Sequence, residues 1–380
     1  MIYLDNSATT KPLPEVLESF RKSAETFYAN PSSVHQLGSD AERMLTKSRT
    51  LIADQIGIKA SEVLFTSGGT ESNNLAIKGI AFKHQSRGKH MVTTTIEHPS
   101  VLEAFRSLES IGFEVTYVKV DETGRVDPDE IDKAIRKDTI LVSVMSVNNE
   151  IGTVQPIEAI GRLTKKHPKL FFHVDHVQGF GKIPLHIKRS NIDLCSVSGH
   201  KIHGLKGTGA LFVRKNVSLF PLLHGGNQEQ KMRAGTENLP GIVALAKAIR
   251  LIKEKEKNQL QELTALQSDL RHQLLQIDDL VINSPEDSAP HIINISLPGF
   301  KPEVLIHKLA DSEIYISTKS ACSSKQSDIS AVLEACQLAA DRTTSSLRIS
   351  LSYQNTKTEI DQFVQALKKA VVHITRSMRR

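Results

Sequence analysis

Three short stretches of this 380-residue chain put chemically useful side chains where an apolar strand gives way to a turn. The first is Phe65-Thr-Ser-Gly-Gly-Thr-Glu-Ser-Asn-Asn74, in which a strand ends, two glycines permit close backbone approach and a helix begins at Thr70. Such a turn aims backbone N–H groups and the positive end of a helix at an anion, typically a phosphate. It is not a Walker loop, because the lysine followed by Ser or Thr is missing. A glycine turn capped by Thr is also common in any α/β protein. The second stretch, Phe171-Phe-His-Val-Asp-His-Val-Gln178, places Asp175 at the C-terminal end of a strand. Open α/β sheets bind their ligands there. The third, Ser196-Val-Ser-Gly-His-Lys-Ile-His-Gly204, sets Lys201 between an apolar strand and the turn Gly207-Thr-Gly209. A partly desolvated lysine loses its proton more easily and can form a Schiff base with a carbonyl.

A phosphate cradle, a Schiff-base lysine and a carboxylate for a pyridinium nitrogen are the three elements that pyridoxal 5'-phosphate (PLP) asks of a protein. The same region admits a second reading. His173, Asp175, His176, His200 and His203 offer enough nitrogen and oxygen ligands for a zinc-type hydrolase. Strand alternation counts against it, sending His173 and Asp175 to one face and His176 elsewhere. The helical H-x-x-x-H spacing is absent as well, and a metal explains neither the Gly-Gly-Thr turn nor Lys201.

Three cysteines cannot pair completely, and none forms a C-x-x-C motif. Cys195, in the strand-like Ile192–Ser198, and Cys336, in the helical run Ala331–Ala340, read as small buried hydrophobes. Cys322 differs, because Ser317-Thr-Lys-Ser-Ala-Cys-Ser-Ser-Lys-Gln-Ser-Asp328 is small, polar and basic. That composition predicts an exposed, mobile loop. A thiol beside Lys319 and Lys325 is partly ionised and nucleophilic if accessible. A surface cysteine without a role fits the local sequence equally well.

The elements that must position these residues alternate from about residue 15 to 215. Strand-like runs are expected at Glu62–Thr66, Met91–Ile96, Phe113–Val120, Ile140–Val147, Leu170–Asp175, Ile192–Ser198 and Gly209–Arg214. Helical patterns fall between them at Glu71–His84, Ser100–Ser110, Asp129–Arg136 and Ile157–Lys166. Alternation of this kind predicts an α/β fold with a mainly parallel sheet covered by helices. A charged helix from Leu239 to about Ile277 then leads into a smaller α+β part. Its strands are expected at His291–Leu297, Glu313–Thr318 and Ser346–Ser352, and its helices at Lys301–Leu309, Ala331–Ala339 and Glu359–Ile374. The expected division is a large domain over residues 15–255 and a small one made of 1–14 and 256–380, which carries the Cys322 loop.

Composition narrows the function classes. With 48 Lys+Arg against 42 Asp+Glu the formal net charge is +6. The densest basic piece is only Arg376-Ser-Met-Arg-Arg380, and there is no Trp. Neither a nucleic-acid surface nor an aromatic stacking platform is expected. No apolar run is long enough to cross a bilayer, and Met1-Ile-Tyr-Leu-Asp5 does not resemble a signal peptide. A cytoplasmic protein is expected.

Taken jointly, the motifs resemble the cysteine desulfurases, in the aminotransferase class V group of fold-type I PLP-dependent transferases. The resemblance runs nearly end to end. It covers Tyr3-Leu-Asp-Asn-Ser-Ala-Thr-Thr10, Asn30-Pro-Ser-Ser-Val-His35, Thr66–Asn74, Glu97-His-Pro99, Asn148-Asn-Glu-Ile-Gly152, Asp175 with Gln178, and Ser198–His203. It continues through Arg233-Ala-Gly-Thr-Glu-Asn238, Ser320-Ala-Cys-Ser-Ser324 and Arg348-Ile-Ser350.

The resemblance implies roles. Lys201 is the Schiff-base lysine and proton shuttle, Asp175 keeps the ring nitrogen protonated, His98 stacks on the ring, and Gln178 bonds its phenolic oxygen. Gly69, Thr70, Ser198 and His200 hold the phosphate, with Thr236 supplied by the other subunit of a homodimer. Asn149 and Arg348 hold the substrate carboxylate, a task suited to a planar guanidinium fork. Cys322 accepts sulfur from L-cysteine as a persulfide, leaving alanine, and passes it to an acceptor protein. That acceptor would serve iron–sulfur cluster assembly, tRNA thiolation or a thio-cofactor. The span of the Cys322 loop resembles the long-loop group of the family. The chain departs from the family pattern at Lys319 and Leu205, where glycine and proline are usual, and at Ser352-Tyr-Gln-Asn355, which is usually glycine-rich.

Overall fold

A computed structural model describes residues 1–318 and 329–378. Cys322 and Lys319 lie outside the described residues. The central sheet has seven strands, in the spatial order Val63–Thr66, Gly209–Val213, Leu194–Ser198, Phe171–Asp175, Thr139–Met145, His90–Thr94 and Glu114–Val118. Gly209–Val213 runs antiparallel to both neighbours, and the other pairings are parallel. Every residue of Thr139–Met145 and Leu194–Ser198 is buried. A sheet covered by helices on both faces requires this, and it explains why these strands lack the apolar–polar alternation of a half-exposed strand. The helix Gly69–His84 packs on one face, and the start of the long helix Leu239–Leu274 belongs to the core on the other.

The C-terminal ends of the parallel strands share one edge, where Asp175 and Ser198 end their strands and Glu97 and Asn148 lie in the turns that follow two others. This is where the strand-and-turn argument expected chemistry. Strands are shorter than their apolar runs by one to three residues, because the flanking apolar residues pack in the turns.

A second core surrounds an antiparallel sheet of Val281–Ile282, Ile292–Ser296 and Ser346–Ser350. The long helix serves both cores, with Leu239 to Ile252 packed in the first and Leu263, Leu270 and Leu274 in the second. Asn238 caps its start by accepting from the Gly241 amide at 3.2 Å.

Two expectations are corrected. The helix expected over Ala331–Ala339 stops at Ala335, and a separate helix covers Ala340–Thr344. Gln337 turns left-handed (φ 58°) and the Leu338 amide bonds back to the Leu333 carbonyl at 3.2 Å. That closure seats Cys336 in the core, buried as expected, at the end of the helix and not within it. The strand expected over Glu313–Thr318 is only Ile314–Tyr315, paired in parallel with Ile2–Tyr3 at the start of the chain. The stretch Ser352–Asn355 forms a turn in which Asn355 Oδ1 accepts from the Ser352 amide at 2.8 Å and Asn355 Nδ2 donates to the Tyr3 carbonyl at 3.2 Å.

Candidate active site

Gly69, Thr70, His98, Asn149, Asp175, Gln178, Ser198, His200, Lys201 and Arg348 line one cavity at the strand ends. Its floor begins with the glycine turn. Gly68 has φ 149°, a conformation side chains rarely adopt, and a Cβ on Gly209 would stand 2.6 Å from the Gly68 Cα. The two backbones therefore touch, which only bare glycines allow. The helix begun by Gly69 has first-turn amides without acceptors inside the helix. Beside them the Ser198 hydroxyl is buried and has no partner among the described residues. A bare backbone cradle, a helix N-terminus and an orphaned hydroxyl together fit a phosphate.

Asp175 is fixed by two donors, Asn73 Nδ2 at 2.7 Å and the Val177 amide at 3.0 Å. The other acceptor of the Asn73 amide group is Ser100 Oγ, at 2.9 Å. Ser100 in turn presents its hydroxyl and its amide to His98 Nδ1, at 2.8 and 3.1 Å. A backbone amide can only donate, so Nδ1 is the acceptor and the proton of the neutral ring sits on Nε2. Burial holds the His98 imidazole below its ordinary pKa, with Asp175 opposing and Lys201 reinforcing the shift. One hydrogen-bonded chain thus sets both the carboxylate and the ring orientation.

Lys201 ends a short turn, Gly199–Lys201, directly after its strand. Its Nζ donates to the Ser7 carbonyl and, at 2.7 Å, to that of Ala8. Gln178 Nε2 reaches the same Ser7 carbonyl at 3.0 Å. The N-terminal segment is laced to this turn by the Thr10 amide and hydroxyl, both donating to the His200 carbonyl, at 2.8 and 2.9 Å. Burial, then the charge of Lys201, pushes the His200 imidazole down to about 4.

The opposite wall comes from the second core. Arg348, only 1% exposed, donates from Nη1 to the Asn149 carbonyl and from Nη2 to Asp5 Oδ1, each at 2.9 Å, while its Nε has no partner among the described residues. Burial raises the Asp5 pKa, and Arg348 opposes that rise. Glu150, next to Asn149, accepts from the Ser330 hydroxyl at 2.6 Å.

The structure does not bring Thr236 into this cavity. It is exposed, just past Arg233, whose Nε donates to Glu71 Oε1 at 2.8 Å beside the glycine turn. The histidines weighed as metal ligands have other partners. His173 lies between Ser143 and Ser196 at 2.8 and 3.0 Å, and His176 bonds Ser146 at 2.8 Å. His203 Nδ1 faces the Lys11 carbonyl at 2.9 Å. Sequence reasoning assigned no role to Asn73, Ser100, Asp5, Ser7 or Ala8. The helical spacing from Gly69 to Asn73 could have placed Asn73 on the cavity side. Nothing local signals that Asp5 would meet Arg348.

Comparison with known proteins gives the family. Residues 2–363 match the model of the aminotransferase class-V family. A NifS/IcsS protein homolog of Lactobacillus delbrueckii subsp. bulgaricus is 44% identical over 99% of this chain and 98% of its own. Cysteine desulfurase IscS of Methanosarcina thermophila is also 44% identical, over 97% of this chain and 92% of its own.

The chain belongs to the aminotransferase class-V family.

Within that family it groups with the cysteine desulfurases, which are PLP-dependent. A solved structure of a NifS-like protein superposes with a TM-score of 0.92 at 37% identity, covering 98% of this chain and 99% of the other. The fold is therefore that of the fold-type I PLP enzymes.

Proposed function

We propose that this chain removes sulfur from L-cysteine, leaving L-alanine and a persulfide on Cys322, and then hands the sulfur to an acceptor protein. The observation that carries the reading is that Lys201, the buried Arg348 and the phosphate cradle line one cavity. When bound, PLP supplies an electron sink for bonds around the substrate's α-carbon. Gly69, Thr70, Ser198 and His200 would hold its phosphate, Asp175 its ring nitrogen and Gln178 its phenolic oxygen, and His98 would pack against its ring.

Arg348 and Asn149 fix the substrate carboxylate. The Lys201 amine takes the proton from the α-carbon and returns one to the product. Cys322 attacks the substrate's sulfur as a thiolate. An S–S bond forms as the carbon–sulfur bond breaks, its electron pair goes to the carbon, and protonation there gives alanine. L-cysteine plus the thiol of Cys322 thus equals alanine plus the persulfide. Both flanks of the Cys322 stretch are fastened beside the site. Ser317 exchanges backbone hydrogen bonds with Arg348, and Ser330 bonds Glu150.

We further propose a homodimer in which Thr236 of each subunit completes the phosphate site of the other, and a cytoplasmic setting. The acceptor serves iron–sulfur cluster assembly, tRNA thiolation or a thio-cofactor. No helix among the described residues is long and apolar enough to cross a membrane. The test is Cys322→Ser. That variant should keep its yellow colour and its spectral response to L-cysteine yet form no alanine. Undiminished alanine formation would overturn the persulfide route.

A further inference from the structure

Two cations stand among the largest fully buried side chains, Arg348 and Lys182. Arg348 meets Asp5, but no carboxylate pairs with Lys182 among the described residues. A buried amine without a counter-ion is costly, so its place calls for a reason. Its main chain is held firmly. Gly181 has φ 70°, and a Cβ there would stand 2.4 Å from Ile252 Cγ1, so the long helix packs against bare backbone. Tyr353, in the turn that departs from the family pattern, donates its hydroxyl to the Gly181 carbonyl at 2.8 Å. The Lys182 and Ile183 amides both donate to the Gly179 carbonyl, at 3.0 and 2.8 Å. From this anchored base the side chain reaches behind the site, and Nζ donates to the main-chain carbonyl of Lys201 at 3.0 Å.

The turn bearing Lys201 needs such a donor. The Ile202 and Gly204 amides both go to the Gly199 carbonyl, at 3.1 and 2.9 Å. The charged group that acts on Lys182 is Lys201 itself. The imidazoles that feel Lys182, those of His176, His200, His203 and His291, are all held neutral by burial first. Burial, then Lys201, pushes the Lys182 amine down to about 7, which lessens the cost of keeping it inside.

We propose that Lys182 is a positioning residue for Lys201, its Nζ fixing the Lys201 carbonyl and so the line along which the Lys201 amine meets the cofactor and the substrate's α-hydrogen. This rests on the role given to Lys201 above.

The test compares wild-type protein with Lys182→Met, which keeps length and removes the donor. PLP is added to the cofactor-free form, and the growth of yellow absorbance is followed. The fraction fixed to Lys201 by borohydride is read from peptide mass. A small displacement of a reacting group costs up to roughly 10²-fold, so attachment and kcat should both slow by about that factor, with KM for L-cysteine unchanged. Lys182→Gln, which keeps an N–H donor, should recover part of the loss. Attachment at the wild-type rate, with only the melting temperature lowered, would overturn the proposal. If Lys182→Met does not fold, Lys182→Ala is read by the same two outcomes. A wild-type protein that fixes no PLP on Lys201 would instead overturn the reading of the site, and this proposal with it.

Discussion

The two walls of the cavity are built differently. The wall at the sheet edge is assembled from strand ends and the turns that follow them; its Asp175 and His98 are held by near neighbours along that edge, while Lys201 and Gln178 reach the Ser7 and Ala8 carbonyls. Asp175 leans on Val177 and Asn73, and His98 on Ser100. The opposite wall is Arg348, on an antiparallel strand of another core, held by Asp5 from the start of the chain and by the Asn149 carbonyl. The first wall has the donors a phosphate requires and, in Asp175, the acceptor a pyridinium nitrogen requires. The second presents a desolvated guanidinium whose Nε has no partner among the described residues, which suits a small carboxylate. Cofactor binding and substrate selection are therefore expected to separate by mutation.

The largest effect is expected at Lys201. Lys201→Ala should lower turnover by roughly 10³-fold or more, because it removes the general acid–base group, and should leave Tm nearly unchanged. Steady-state kinetics and thermal melts check both. On the second wall, Arg348→Lys keeps charge but loses the planar fork. It should reduce kcat/KM for L-cysteine by about 10²-fold while the PLP dissociation constant stays the same. A parallel loss of PLP affinity would break the separation. Ser198→Ala should do the converse, weakening PLP binding by roughly tenfold with KM for L-cysteine unchanged.

How much of this was legible in the sequence follows the same division. Gly69, Asp175, Ser198 and Lys201 sit in contiguous strand–turn words, so periodicity and turn chemistry alone placed them at strand ends. Arg348 looked like any strand arginine until the whole set of motifs was matched, because its partner Asp5 lies 343 positions away. The Asn73–Ser100 link escaped for the same reason, since it joins two helix starts across the sheet edge. The short strands Ile2–Tyr3 and Val281–Ile282 are too brief to carry a period and exist only through pairing. The early stop of the helix at Ala335 is a tertiary effect, set by seating Cys336 in the core.

A smaller effect concerns acid stability, which belongs to the first wall and its sheet. Burial pushes His173 and His176 down to about 3 and His203 to about 4. An unfolded histidine titrates near pH 6.5, so the folded state binds fewer protons below that value. Stability present above about pH 6.5 should therefore be lost as pH falls toward 4 and then 3. Thermal melts from pH 7.5 to 4.5 should show the decline, and His173→Gln should flatten it. A melting temperature independent of pH over that range would contradict the buried neutral histidines.

The most direct test of the whole account is a single-turnover reaction with L-cysteine and no added thiol. Alanine is counted per subunit, and the mass of the peptide bearing Cys322 is measured. The account predicts about one alanine per subunit, and one extra sulfur on that peptide, in a first burst. No alanine from a yellow, PLP-loaded protein, or alanine without added mass at Cys322, would contradict it.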